Sequence, residues 1–349
     1  MLIPEGNFGI YLLIKKLKMK SSRRKFLAHS MALTLPMIAP FSPEDNGLIQ
    51  ADLLAELKQG MSNNRIDKDA FKISLFTKHV QWLDFTSLAK LLKETGFDGV
   101  DLPVRKGGHI LPENVERDLP LAMAAMKKEG LDIHFISTDI QDADDPLTER
   151  VLKTASSLGI KHYRMHYYYY DQTLSIDQNL KVFEQKMKKL AALNKRYKII
   201  GEYQNHSQDQ STFFDKTYFG ATLWDLYLVL RKINSPWLCS QFDIGHATVE
   251  SYRSWVVGLE LLAPFMSSLH VKDFSYQKQE KGWEVKMEQM GDGMVNYPLL
   301  FEILKKKKIQ VPITFYYGYD IGDAAIGPDI ISIKNGLESF KKMLKVWTS

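Results

Sequence analysis

A chain of 349 residues that is 45% hydrophobic and 25% charged has the composition of an ordinary globular protein, which excludes disordered and collagen-like classes. Its formal net charge of +5 sits at the start: residues 1–40 carry Lys15, Lys16, Lys18, Lys20, Arg23, Arg24 and Lys25 against Glu5, a net of +6, which leaves −1 for the rest. Beyond residue 40, bulk electrostatics therefore give no reason to expect nucleic acid as a partner.

Residues 19–38 read MKSSRRKFLAHSMALTLPMI, twin arginines followed by a modest apolar run. The pattern resembles a bacterial twin-arginine export signal, so residues 1–40 are expected to be a leader to a periplasmic protein, with Met19 as an alternative start. No apolar stretch reaches the roughly 18 residues a bilayer span needs, so no membrane contact is expected after leader removal. The lone cysteine, Cys239, cannot form an internal disulfide. Residues 41–70 form a polar approach, with a helical pattern from Ala51 to Asn64.

From residue 71 onward, apolar runs alternate with helical patterns. The runs Phe71–Phe76, Gly99–Leu102, Ile133–Ser137, His162–Met165, Ile199–Tyr203, Leu238–Phe242, Ser267–Val271 and Pro312–Tyr316 read as buried parallel strands. Phe85–Thr95, Leu119–Glu129, Asp145–Leu158, Ile176–Tyr197, Leu223–Ile233 and Tyr252–Phe265 have helical spacing, and Gly96 and Gly130 stand where a left-handed turn ends a helix. Repeated strand–helix alternation predicts an α/β fold, a single-domain (β/α)8 TIM barrel over residues 71–346. An open doubly wound sheet is the alternative. The first strand lacks the glycine-rich turn of dinucleotide-binding folds, so no nucleotide cofactor is expected.

A barrel of this kind places its site at the C-terminal strand ends. Those positions carry Lys78 and His79, Arg105 and His109, Thr138 and Asp139, Arg164, His166 and Tyr168, Gln204 to His206, Asp243 and His246, His270 to Asp273, then Gly318 to Asp320. Cations, imidazoles, amides and aromatic faces gathered at one mouth suit a small-molecule carbohydrate, whose hydroxyls need partners and whose faces pack on rings. His79, Arg105, His109, Arg164, His166 and His206 are the substrate-binding candidates, with Trp283, in a polar loop after the seventh strand, as a stacking surface. The plainer readings are salt bridging between loops for the arginines and packing under its loop for Trp283. In the tyrosine run 167–170, alternation of an extended chain lets at most two of the four face a pocket.

The segments FTKHVQWLDF, GFDGVDLPVRKGGHILP, YQNHS, FDIGH and LHVKD resemble the xylose isomerase-like TIM-barrel proteins of the sugar phosphate isomerase/epimerase family, in particular an exported branch. The resemblance implies a divalent metal (manganese, magnesium, cobalt or zinc) held by Glu, Asp, His and Glu from strands five to eight, with the two glutamates moving a proton on and off carbon. Carried onto this chain, the aspartate is Asp243 and the histidine is His270, with His246 and His206 beside the substrate. The strand-five glutamate is replaced by Gln204 and the strand-eight glutamate by Gly318. An amide oxygen can ligate a metal but cannot act as a base, and glycine offers nothing. The expected metal ligands are therefore Asp243, His270 and Gln204. Glu202, one layer deeper, is a replacement carboxylate, Asp273 and Asp320 are others, and Lys272 either polarises a carbonyl or pairs with Asp243 or Asp273. The candidate catalytic residues are Lys272, His246 and Glu202.

The expected activity is isomerisation or epimerisation of a sugar by carbonyl polarisation and proton transfer. Loss of both glutamates also fits a lyase or hydrolase acting on oxidised glycosides, or a carbohydrate-binding barrel without turnover. A DNA-repair endonuclease of the same fold needs a multi-metal cluster and a basic face, which the net −1 beyond the leader does not supply.

Overall fold

The computed structural model describes residues 71–208, 216–280, 282–318 and 329–348, all within one compact unit, Asn64–Ser349. The expected leader, the approach segment, Tyr319 and Asp320 lie outside the described residues.

Each apolar run becomes a strand. β1 (Ile73–Phe76), β2 (Gly99–Val104), β3 (Asp132–Thr138), β4 (His162–Arg164), β5 (Ile200–Gln204), β6 (Leu238–Asp243) and β7 (Met266–Val271) are followed by an antiparallel pair, β8 (Asp273–Gln279) with β9 (Gly282–Glu288), and then by β10 (Ile313–Phe315). β1 to β7 and β10 form a closed parallel barrel. Closure runs through β10, which pairs Ile313 with Ile73 of β1 and Thr314 with His270 of β7. Strands buried on both faces explain the continuous apolar runs.

The helices follow the same logic. α1 (Phe85–Thr95) is capped by the Asp84 carboxylate, which accepts from Thr86 and Ser87 backbone N–H groups, and ends on Gly96 at φ +85°. α2 (Val115–Lys128) and α3 (Pro146–Ser157) come next, and then α4 (Ile176–Tyr197), which opens on a Ser175–Gln178 capping box. α5 (Trp224–Ile233) leads to β6.

The segment after β6 departs from the sequence expectation. Instead of one crossover helix over Tyr252–Phe265, α6 (Ile244–Ser251) begins directly at the strand end, and a shorter α7 (Trp255–Leu262) follows. Asp243 is both the last residue of β6 and the N-cap of α6, its Oδ1 accepting the His246 backbone N–H at 2.9 Å. The D-x-x-H spacing is thus a cap reaching the third helical residue, which sets His246 in the first turn above Asp243. α8 (Tyr297–Lys306) and α9 (Ile330–Thr348) complete the chain.

The β8–β9 pair is the second departure. Trp283, expected in a loop, lies on β9 and is 62% exposed. The other end of the hairpin brings Phe274 and Met287 to the barrel mouth.

Candidate active site

Side chains two residues apart on a strand point to the same side, so Glu202 and Gln204 on β5, Gln241 and Asp243 on β6, and Ser268 and His270 on β7, with Lys272 just beyond its end, form successive layers inside the barrel. Register fixes the pairs: Gln241 lies opposite Ser268, and Asp243 opposite His270.

The lower layer is organised by Glu202, which is fully buried. Its Oε1 accepts from His162 Nδ1 and Ser267 Oγ, both at 2.8 Å, and its Oε2 from Ser268 Oγ at 2.8 Å and Gln241 Nε2 at 3.2 Å. A carboxylate so engaged is not available as a replacement base or ligand in the mouth above it. Its consequence lies one residue further on. Gln241, having given its amide hydrogens to Glu202, can only accept with Oε1, so the His270 Nδ1 contact at 3.2 Å carries the proton on the imidazole. His270 Nε2 is therefore left with a lone pair, and this buried atom has no partner.

In the upper layer, Asp243 Oδ2 is the focus. Lys272 Nζ lies 2.9 Å from it and Gln204 Nε2 donates to it at 2.6 Å, while His270 Nε2 and His246 Nε2 stand at 3.9 and 4.0 Å. The Gln204 amide can have only one orientation. Its Oε1 accepts from Arg164 Nη1 at 2.6 Å and from the Tyr167 hydroxyl at 2.5 Å, and an arginine can only donate. Gly245 lets Lys272 reach this place, because a Cβ there would stand 2.5 Å from Lys272 Cγ and 2.8 Å from its carbonyl oxygen. The Lys272 ammonium also lies 4.9 Å from the Tyr316 ring centroid.

This donor set does not fit a divalent metal. Among the described residues the only carboxylate in the layer, Asp243, already holds an ammonium, and Gln204, an expected ligand, turns its N–H rather than its oxygen toward Asp243. No group of three or more His, Cys, Asp or Glu among the described residues is arranged to hold a metal ion. Asp273 offers no rescue, since its carboxylate accepts backbone N–H groups from Phe274, Gly291, Gly293 and Val295 at 2.9 to 3.2 Å. Nor is the strand-eight glutamate position open. A Cβ on Gly318 would collide with Met287 Sδ and with Tyr316 Cε1.

Above these layers is a cavity of about 350 Å³ lined by residues that include Lys78, Arg105, Arg164, His206, His246, His270 and Lys272. Phe76, Tyr167, Tyr218, Phe274 and Tyr316 supply aromatic walls. Of the expected binding residues, Arg105, Arg164 and His206 line this cavity. His79 stands behind it, hydrogen-bonded through Nε2 to the Tyr316 hydroxyl at 2.6 Å. His109 is hydrogen-bonded to the Thr77 backbone, and His166 sits 3.8 Å from Asp139. His109, His166 and Trp283 are not part of the cavity wall. In the tyrosine run, Tyr167 faces the cavity, whereas Tyr168 packs on Phe183 and Tyr170 donates to Asp225. Sequence reasoning missed Phe76, Tyr218, Phe274, Met287 and Tyr316. Of these, Phe76 and Tyr316 stand at strand ends where alternation could have found them.

Burial is the main force on the ionisable groups. It holds His246 and His270 well below the ordinary imidazole range, with nearby positive charge adding to it. It lowers His79 and His109 to about 4 and His206 to about 3. It also pushes the enclosed Asp101 up to about 6. Burial raises the Asp243 carboxyl and lowers the Lys272 ammonium, while their mutual attraction opposes both shifts.

A folded imidazole held below its unfolded value makes the unfolded chain the stronger proton binder. Stability is then complete above the unfolded value of about 6.5 and falls as pH drops toward the folded value. The melting temperature should therefore fall steadily between pH 7 and pH 5. An imidazole held as low as that of His206 contributes a loss of about 2 kcal/mol over that interval. A flat melting temperature across this window would contradict the burial of these rings as neutral groups.

The family model for the xylose isomerase-like TIM barrel matches residues 89–343. The chain belongs to this family. Comparison with curated protein sequences finds no match. Among solved structures, the chain is similar to 3-keto-D-glucoside 4-epimerase from E. coli, with 16% identity and a TM-score of 0.58 over 78% of this chain and 99% of that one. It is similar to D-allulose 3-epimerase from Methylomonas sp., with 15% identity and a TM-score of 0.59 over 79% and 99%. It is also similar to a xylose isomerase-like TIM barrel protein from Mycobacterium smegmatis in complex with magnesium, with 13% identity and a TM-score of 0.58 over 79% and 98%. At these identities the likeness speaks for the fold alone. No described helix is long and apolar enough to cross a membrane.

Proposed function

We propose that this member of the xylose isomerase-like family is an isomerase- or epimerase-type enzyme that acts on a carbohydrate by proton transfer beside a carbonyl. The observation that carries the reading is the His270 Nε2 lone pair, buried, unpartnered and 3.9 Å from the Asp243 oxygen that holds the Lys272 ammonium. Sugar epimerases among the structural neighbours support the substrate class.

In this reading, Lys272 takes the role of the metal. Its Nζ, aligned by Asp243, donates a hydrogen bond to the substrate carbonyl oxygen and stabilises the negative charge that develops there. His270 Nε2 takes the proton from the neighbouring carbon, leaving an enediolate and an imidazolium whose Nδ1–H stays on Gln241. Returning that proton to the former carbonyl carbon, while the hydroxyl proton passes from the neighbouring oxygen to the former carbonyl oxygen, completes an isomerisation, and reprotonating the original carbon on its opposite face requires a second group. His246 is the candidate for that group, with Nδ1 at 2.8 Å from Ser207 Oγ and Nε2 unpartnered, 4.0 Å from Asp243 Oδ2.

A second reading follows from the one lone pair whose position is fixed. Proton removal by His270 followed by departure of a β-oxygen substituent is an elimination, so a keto-glycoside would yield an unsaturated ketone and a free alcohol.

Deuterium incorporation separates the readings. Incubated in D2O with keto sugars, the protein should place deuterium on carbon adjacent to the carbonyl, and His270→Asn should abolish it. An ultraviolet-absorbing unsaturated ketone would select elimination instead. Sugar binding with neither exchange nor elimination would leave a carbohydrate-binding barrel and sink the catalytic reading. Export is proposed from the twin-arginine leader: replacing Arg23 and Arg24 by Lys should retain the protein in the cytoplasm, and continued export would remove that proposal.

A further inference from the structure

The charge on the cavity wall is unbalanced. Lys78, Arg105, Arg164 and Lys272 line it, and no carboxylate among the described residues does. Asp243, just behind the wall, is engaged by Lys272. Three cations remain, and they lie together on the β1, β2 and β4 side. The Arg164 and Arg105 guanidinium carbons stand 4.9 and 5.7 Å from the centroid of the same Phe76 ring.

Asp139 and Asp101 attract the Arg105 guanidinium, and Asp101 also attracts Arg164, but neither acid is hydrogen-bonded to either arginine. Asp139 accepts the Lys106 backbone N–H at 2.8 Å, and Asp101, enclosed below, accepts from Ser137 Oγ at 2.7 Å and Thr314 Oγ1 at 3.3 Å. Among the described residues, neither Lys78 nor the Arg105 guanidinium has a hydrogen-bond or ion-pair partner. Arg164 is 5% exposed, and its Nε is buried without a partner although Nη1 is held by Gln204. Holding like charges together in a partly desolvated pocket is unfavourable unless an anion joins them. The crowding acts on Lys78, which is solvent-exposed, its ammonium lowered by partial desolvation and by both arginines.

We propose that the ligand of this cavity is an acidic sugar, whose carboxylate or phosphate monoester is seated by Lys78, Arg105 and Arg164 while its carbonyl carbon faces Lys272 and His270. The proposal rests on the sugar reading above and specifies it further. Guanidinium groups present paired N–H donors that match the two oxygens of either anion, and the Phe76 ring holds both of them facing the cavity. The aromatic walls remain for the sugar ring.

The test is calorimetric titration of the full chain with a panel of neutral monosaccharides, the corresponding uronates and 6-phosphates, and inorganic phosphate and acetate alone, at low and high salt. At least one acidic sugar should bind 10-fold or more tightly than its neutral parent. That advantage should shrink at high salt and in both Lys78→Gln and Arg105→Gln. A preference confined to uronates assigns the carboxylate, and one confined to phosphates assigns the phosphate. Binding of inorganic phosphate or acetate without any sugar would keep the anion subsite and remove the sugar reading. Neutral sugars binding as tightly as their acids, an advantage that survives in both variants, or no binding by any probe would overturn the subsite.

Discussion

Lys272→Met should lower turnover about 10³-fold, the scale on which removal of a single preorganised donor to a developing oxyanion is felt. It should also destabilise the fold by about 3–5 kcal/mol at neutral pH, because Asp243 would remain buried without its cation. The two effects are separable. In the double variant Lys272→Met/Asp243→Asn the unpaired charge is gone, so stability should largely return while turnover does not. Lys272→Arg should fail to rescue, since the planar guanidinium cannot follow the stem past Gly245 to a point 2.9 Å from Asp243 Oδ2. Urea unfolding and steady-state kinetics measure the two quantities. Wild-type turnover in Lys272→Met would contradict the mechanism.

The second large effect is expected from a residue that touches no substrate. Glu202→Gln replaces an acceptor of four hydrogen bonds by a group with one oxygen and one NH2. Where that NH2 meets Gln241, the Gln241 amide must reverse and offer N–H to His270 Nδ1. The imidazole proton then moves to Nε2 and the lone pair leaves the cavity. Turnover should fall about 10²-fold or more with little change in KM. The loss of stability should be about 3 kcal/mol, as for a broken buried network. Nitrogen NMR of the His270 ring distinguishes this from simple structural damage: the wild type should show the Nδ1–H form and the variant the Nε2–H form. A variant that keeps the wild-type tautomer would show that Glu202 does not position His270.

Much of the barrel was legible because its strands are buried on both faces and its helices carry ordinary stop and start signals. Gly96 ends α1, and Ser175 with Gln178 opens α4. The β8–β9 hairpin was illegible for the opposite reason. Residues such as Lys278, Glu284 and Trp283 are exposed, so alternation toward a core never appears in the sequence. α6 escaped notice because it starts inside the site, its first turn consisting of residues read for chemistry rather than for periodicity.

In the site, Asp243, His270 and Lys272 could be placed at strand ends, and pairing of Lys272 with Asp243 was one of the two readings open to it. What a linear reading could not supply was orientation. Gln204 is a metal ligand or a hydrogen-bond donor depending on which way its amide turns, and that is decided by Arg164 at the end of β4 and Tyr167 just beyond it. Likewise, the crowding at Gly318 comes from the Tyr316 ring and from Met287, which the hairpin brings to the same spot from thirty-one positions earlier in the chain. Three features of the mouth run against the two-glutamate site that the resemblance implies: the Gln204 amide donates to Asp243, the Lys272 ammonium pairs with Asp243, and Met287 crowds Gly318.

The central claim is that Lys272 serves where relatives use a divalent cation, and the most direct test is metal stoichiometry. Protein purified without chelator should contain no stoichiometric manganese, cobalt, magnesium or zinc by elemental analysis, and titration with Mn2+ should give no heat of specific binding at the site. Any sugar exchange in D2O should be unchanged by chelator. One equivalent of bound metal, lost to chelator together with exchange and restored by adding the ion back, would contradict the account.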